Sequence, residues 1–141
     1  MPEFDAEVSK PWHFAKDGTT GEPGKGSPIK VGGFASPKGL GMHPPERAFA
    51  SVKYRLDRKA RRFQSVGAVN DSSLLLFSPL YFEVWGDGQR LWQSERITDR
   101  KQLRECSIDV SEVEVLELRA VAVGPHTGLH AVWLEPRVLM K

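Results

Sequence analysis

The sequence predicts an all-β chain, an antiparallel β-sandwich of jelly-roll type. Three observations lead there. Short runs with period-two alternation recur between glycine- and proline-rich turns, enough for eight or nine strands. No long amphipathic helical pattern and no internal repeat interrupts them. Residues 81–92 carry two aromatic-rich runs around Asp87-Gly88, a pair that tolerates the two positive φ angles of a type I′ turn. With those two residues as the loop, Gly86 faces Gln89, Trp85 faces Arg90, Val84 faces Leu91 and Glu83 faces Trp92. Val84 with Leu91 is then an apolar cross-strand pair, and Trp85 with Arg90 a cation–π pair.

Taken in chain order, residues 1–15 hold Phe4, Val8, Trp12 and Phe14 at spacings that fit helix or strand, with Trp12 expected to plug onto the body of the domain. Eight of the 13 glycines then fall between Gly18 and Gly41. Residues 16–27 lack apolar anchors beyond Pro23 and read as a mobile surface loop. Gly24-Lys25-Gly26-Ser27 has neither the spacing nor the following helix of a phosphate loop. Ile29-Lys30-Val31 begins a short strand, and Pro44-Pro45 makes a stiff corner after His43. Residues 48–56 alternate in their second half, with Lys53 and Arg55 on the polar side. Residues 57–62, with four basic side chains, read as a solvated turn between this strand and another over 63–69.

Asn70-Asp71-Ser72-Ser73 is a further turn, and the apolar residues 74–77 lead into the central hairpin. Residues 94–104 are charged and loop-like, with one helical turn over 99–104, and residues 107–110 form a short strand. Between Glu114 and Glu117 the polar phase flips, as a bulge or a strand break requires. Residues 115–123 are apolar on nearly every side and read as a central strand. After a turn at 124–128, residues 129–140 form the closing strand with His130, Trp133 and Glu135. Pro79 and Pro136 belong at edges or bulges.

At 141 residues the chain supports one domain with a substantial core. Twenty basic against 18 acidic residues give +2, too even for the basic face that nucleic acid needs. A single cysteine, Cys106, rules out an internal disulfide framework and a Cys-ligated zinc site. No apolar run is long enough to span a membrane, and the acidic, polar opening residues are not a signal peptide. The chain is thus cytoplasmic or one domain of a longer exported protein. Catalytic arrangements are not evident. Glu83, Asp109 and Glu135 have no spacing that pairs two carboxylates, and Cys106 has no histidine nearby in sequence. His43 and His130 form at most two-thirds of a metal site. A structural calcium would draw on oxygens of the Asn70-Asp71 or Asp87 loops, and no other cofactor is expected.

Several short motifs occur in a defined order. They are Gly32-Gly33, Lys38-Gly39-Leu40-Gly41-Met42-His43, Tyr54-Arg55-Leu56 and Phe63-Gln64-Ser65-Val66-Gly67, then Phe82-Glu83-Val84 with Asp87-Gly88, Asp109-Val110-Ser111, Leu116-Glu117-Leu118 and His130-Ala131-Val132-Trp133. This order resembles the NPCBM domain, related to carbohydrate-binding module family 51. The resemblance implies a lectin-like sandwich over residues 28–141, with residues 1–27 as an N-terminal segment and flexible loop of the same domain. It implies binding of galactose-type glycans without catalysis, with carbohydrate and the other domains of a larger secreted bacterial protein as partners, and no nucleic acid or membrane. It also implies a site in which Trp133 stacks on a sugar ring, His43 and His130 meet its hydroxyls and Glu135 accepts from them. Trp85, Trp92 and Arg47 stand second, while the turn accounts for Asp87. The family's closing motif carries an aspartate before the His-Ala pair and further carboxylates around the tryptophan. Here Leu129 and Val132 stand there and only Glu135 is acidic. The alternative is a structural or protein-interaction sandwich that has lost sugar binding.

Overall fold

The computed structural model describes residues 6–8, 14–15, 29–44, 47–71, 73, 78–99, 101–124 and 130–141. In chain order its strands are β1 (Ala6–Val8), β2 (Phe14–Ala15), β3 (Lys30–Val31), β4 (Phe34–Ala35), β5 (Leu40–Met42), β6 (Phe49–Arg55), β7 (Ala60–Val69), β8 (Leu80–Gly86), β9 (Gln89–Gln93), β10 (Arg104–Asp109), β11 (Val115–Ala122) and β12 (Ala131–Met140). Two five-stranded antiparallel sheets stack face to face, one in the order β1-β6-β11-β8-β9, the other β10-β7-β12-β5-β2. A small β3–β4 hairpin accompanies them. This is the expected sandwich.

Alternation sets its core. Ala50, Val52 and Tyr54 of β6, Leu116, Leu118 and Ala120 of β11, and Leu80, Phe82 and Val84 of β8 are buried in one cluster with Phe63, Val69, Cys106, Leu40, Met42 and Trp133 of the opposite sheet. At its centre the Trp133 ring meets Phe82 at 5.0 Å, Phe63 at 5.9 Å and Trp92 at 6.2 Å between centroids. Full burial of a side chain such as Phe82 stabilises the fold by roughly 1.5–3 kcal/mol. Gly67 makes room for it, since a Cβ there would lie 2.5 Å from the Phe82 ring.

The central hairpin turns where expected, with positive φ at both Asp87 and Gly88. Gly86 faces Gln89 and Trp85 faces Arg90, but a register shift then sets Val84 against Trp92 and Glu83 against Gln93. Leu91 is the extra residue. That slip turns Trp92 inward to the core and leaves Leu91 exposed. The basic turn is shorter than expected, because Arg61 and Arg62 already belong to β7. The phase flip after Glu114 is a strand break, with residues 110–114 outside any strand and β11 beginning at Val115. β11 is central as expected, between β6 and β8, and Pro136 sits in a register shift of β12 between Leu134 and Arg137. Among the described residues no helix follows Asp99: Gln102 N–H closes a turn onto the Asp99 carbonyl, and Arg104 already opens β10. The expectations for Trp12, for residues 16–27 and 74–77, and for all of 124–128 but Gly124, lie outside the described residues.

Candidate functional site

At one end of the second sheet the C-terminal ends of β5 and β7 meet the start of β12. Ala131 pairs with Met42 and with Val69 there, which brings His130 alongside His43. The two imidazoles meet edge-on, with centroids 5.6 Å apart and planes at 77°. Parity decides which way they face. Trp133, Leu40 and Met42 point into the main core, whereas Val132 and Ala68 point outward into a second cluster with Ile29. His130 and His43 share the outward parity, and both are partly exposed.

The backbone at His130 is pinned. Its N–H donates to Ser73 Oγ (3.1 Å), its carbonyl accepts from Asn70 N–H (2.8 Å), and Ser73 N–H donates to the Asn70 carbonyl (3.0 Å). Burial of the imidazole, and next the charge of His43, hold the His130 pKa below the usual histidine value. The neutral ring offers one N–H donor and one acceptor, the pair of functions a sugar hydroxyl also carries.

Trp133 and Glu135 do not join this pair. Trp133 is 0% exposed in the centre of the core, and its Nε1 has no acceptor among the described residues. Its parity is opposite to that of His130, so its ring is out of reach of a ligand on the outer face. Glu135 lies five residues along β12, about 16 Å from His130 at strand rise. Its carboxylate accepts from Ser36 Oγ (2.9 Å) and Lys38 N–H (3.0 Å), while its own N–H donates to Ser36 Oγ (3.2 Å). It clasps residues 36–38 onto β12 at a strained φ of 40°. Its other side borders an open, polar recess of about 680 Å³ with Gln64, Ser107 and Arg137.

The second-tier residues divide. Trp92 is largely taken up by the core. Arg47, with φ 50°, donates its N–H to the Gly124 carbonyl on the loop end. Trp85 lies on the outer face of the first sheet, where Arg119 rather than Arg90 covers it. The Arg119 guanidinium is 4.2 Å from the Trp85 centroid and 4.1 Å from that of Phe49. Glu117 holds Arg119 Nε at 2.5 Å, and the nearly buried Glu83 (6% exposed) lies 3.9 Å from Nη1. Two carboxylates thus meet on one face, which spacing in the sequence did not reveal, because β8 and β11 become neighbours only through the sheet. An arginine bridges them, and neither borders the recess beside Glu135, so the arrangement lacks the open gap of an acid–base pair. Arg90 donates instead to Gln93 Oε1 (2.7 Å) and pairs with Glu83.

The loops expected to offer oxygens to a calcium ion engage them with backbone N–H groups. Asn70 Oδ1 accepts from Lys30, the Asp71 oxygens from Gly32 and Gly33, and Asp87 from Glu114 and Val115. Among the described residues no three His, Cys, Asp or Glu side chains converge on a point that could hold a metal. The sequence reading did not single out Phe34, which opens β4 just after the Gly32-Gly33 turn and is 82% exposed.

Comparison with known proteins agrees with this architecture. Over 115 residues the chain is 29% identical to a protein of Renibacterium salmoninarum provisionally named an endo-alpha-N-acetylgalactosaminidase; the match covers 80% of this chain and 7% of that protein's length. The fold is similar to that of the tandem CBM51 modules of a family 98 glycoside hydrolase from Streptococcus pneumoniae. There the TM-score is 0.76 at 19% identity, over 96% of this chain and 45% of that one. It is also similar to a CBM51 module of Clostridium perfringens GH95 in complex with methyl-galactose, with TM-score 0.70 at 17% identity over 97% and 94% of the two chains. The model of the NPCBM/NEW2 domain matches residues 3–139, nearly the whole chain, so this protein belongs to the NPCBM family.

Proposed function

We propose that the domain is a non-catalytic carbohydrate-binding module for galactose-type glycans, one part of a larger secreted bacterial protein. The observation that carries this reading is the His43–His130 pair, brought together from two strands on the outward loop end of a domain of this family. The pair supplies hydroxyl partners, and the backbone of His130 is fixed by Ser73 Oγ and by the N–H of Asn70. Methyl-galactose in the C. perfringens module and the name of the R. salmoninarum relative support a galactose-type ligand. The small share of that relative's length supports attachment to a longer chain. Glu135 and Trp133 serve the site indirectly, by holding the cover segment and the core on which β12 rests.

The test is a glycan array followed by calorimetric titration with methyl β-galactoside, comparing the wild type with His43→Ala and His130→Ala. Binding by the wild type and a loss of about tenfold or more in each variant is the expected result. Binding that survives both substitutions would place the site elsewhere. Trp133→Ala is unsuitable as a probe, because truncating a buried tryptophan costs about 3–5 kcal/mol and unfolds a marginal domain. That same burial favours the second reading, a structural or protein-interaction sandwich that has lost sugar binding. Silence of the whole array, from a protein shown folded by circular dichroism, would favour that reading over sugar binding.

A further inference from the structure

The exposed Phe34 needs a physical account. The β3–β4 hairpin lies over the outer face of the second sheet, anchored by Ile29, which is buried with Ala68 and Val132 while Val31 and Leu134 pack beside them. That small core holds the hairpin without Phe34. Its tip is fixed by Asp71, whose two carboxylate oxygens accept from the N–H groups of Gly32 and Gly33, both at 2.8 Å. Both glycines have positive φ, as a tight turn requires. Asp71 N–H in turn donates to the Lys30 carbonyl (2.7 Å). A large aromatic ring is therefore presented to solvent on a braced turn.

Beneath it lies a recess of about 360 Å³ bordered by Val31, Phe34, Asn70, Asp71, Lys101 and Leu103. Leu103 is itself 51% exposed. This combination, an open aromatic face with the apolar Leu103 beside it and the Lys101 cation at its edge, suits the apolar C–H face and a hydroxyl of a sugar ring. Its position is equally telling. The recess sits over the ends of β10 and β7, and the histidine pair over those of β12 and β5, all on the outward side of one sheet. At a strand spacing of about 4.8 Å the two centres lie about 10 Å apart. A short oligosaccharide covers that span and a single ring does not. Asn70 joins them, donating its N–H to the His130 carbonyl and accepting from Lys30 N–H with its side chain.

We propose that the recess under the β3–β4 hairpin is a second sugar subsite, in which Phe34 stacks on a ring further along a glycan whose terminal sugar sits at His43 and His130. It rests on the carbohydrate-binding reading above and extends it from a monosaccharide to an oligosaccharide. The outer face of the first sheet is no rival, since the Arg119 guanidinium already lies on the Trp85 and Phe49 rings.

Calorimetric titration of wild type, Phe34→Ala and Phe34→Trp with methyl β-galactoside and with β-1,3- and β-1,4-linked galactose-terminated trisaccharides tests it. At least one trisaccharide should bind more tightly than the monosaccharide. Phe34→Ala should lower that affinity about tenfold, Phe34→Trp should retain it, and neither should change binding of methyl β-galactoside. Amide resonances of Gly32, Gly33 and Lys101 should shift with the trisaccharide and stay put with the monosaccharide. Three results would overturn the subsite: trisaccharides no tighter than the monosaccharide, full affinity in Phe34→Ala, or equal losses for both ligands. A wild type that binds none of these sugars would remove the carbohydrate reading itself, and the subsite with it.

Discussion

His130 is a neutral ring by design of its surroundings. Burial first, and the His43 charge second, lower its pKa in the folded state from the ordinary 6.5. The unfolded chain therefore takes up a proton before the folded one does, and acid favours unfolding. The stability contributed by neutral His130 is complete above about pH 6.5 and is lost as pH falls from there through the folded pKa. Urea denaturation of wild type and His130→Gln between about pH 8 and pH 5 should show a steeper acid decline in the wild type. Parallel curves would contradict it. At this scale the two histidines were legible as residue types with an unusual relation, whereas Trp133 was misread. A tryptophan two residues after a surface histidine would share its face, and one three residues after it takes the opposite face. A stacking ring and a core ring have the same sequence letter. Burial separates them, and burial follows from which sheet face packs inward.

Among the elements, β12 carries the chief irregularity. The register shift around Pro136 swings Glu135 to a positive φ, and the carboxylate repays that strain by holding Ser36 and Lys38. Glu135→Ala should lower stability by about 1–2 kcal/mol. Ser36→Ala should cost less in that background than in the wild type, because the two residues share one contact. Hydrogen exchange at the Lys38 amide should quicken, and additive losses with unchanged exchange would count against the clasp. The proline signalled this bulge in the sequence, but the partner of Glu135 did not show, lying 99 positions away. The central hairpin teaches the same limit. Asp87-Gly88 dictated its turn, while the extra residue Leu91 answered to Trp92, whose indole gains more from the core than Leu91 loses outside it.

For the molecule as a whole, Cys106 is a convenient reporter. It lies in the core between the sheets, and burial pushes its thiol up to about 12. The folded protein should resist a disulfide-exchange reagent such as DTNB at neutral pH and react fully in denaturant, at a native rate set by opening of the sandwich. Rapid labelling without denaturant would mean that β10 opens independently of the core.

By itself the sequence determined the secondary-structure class, the central hairpin turn and the centrality of β11, and the order of its motifs resembled the family. The structural features follow from local backbone preference and from period-two alternation, which neighbours along the chain express. Only the tertiary structure decided that His43 meets His130, that Trp133 is core, that Arg119 covers Trp85 and that Phe34 stands exposed next to a braced turn. Each of these depends on which strands become neighbours and on which face turns inward. Those choices minimise the exposed apolar surface of the whole chain, so no window of sequence contains them.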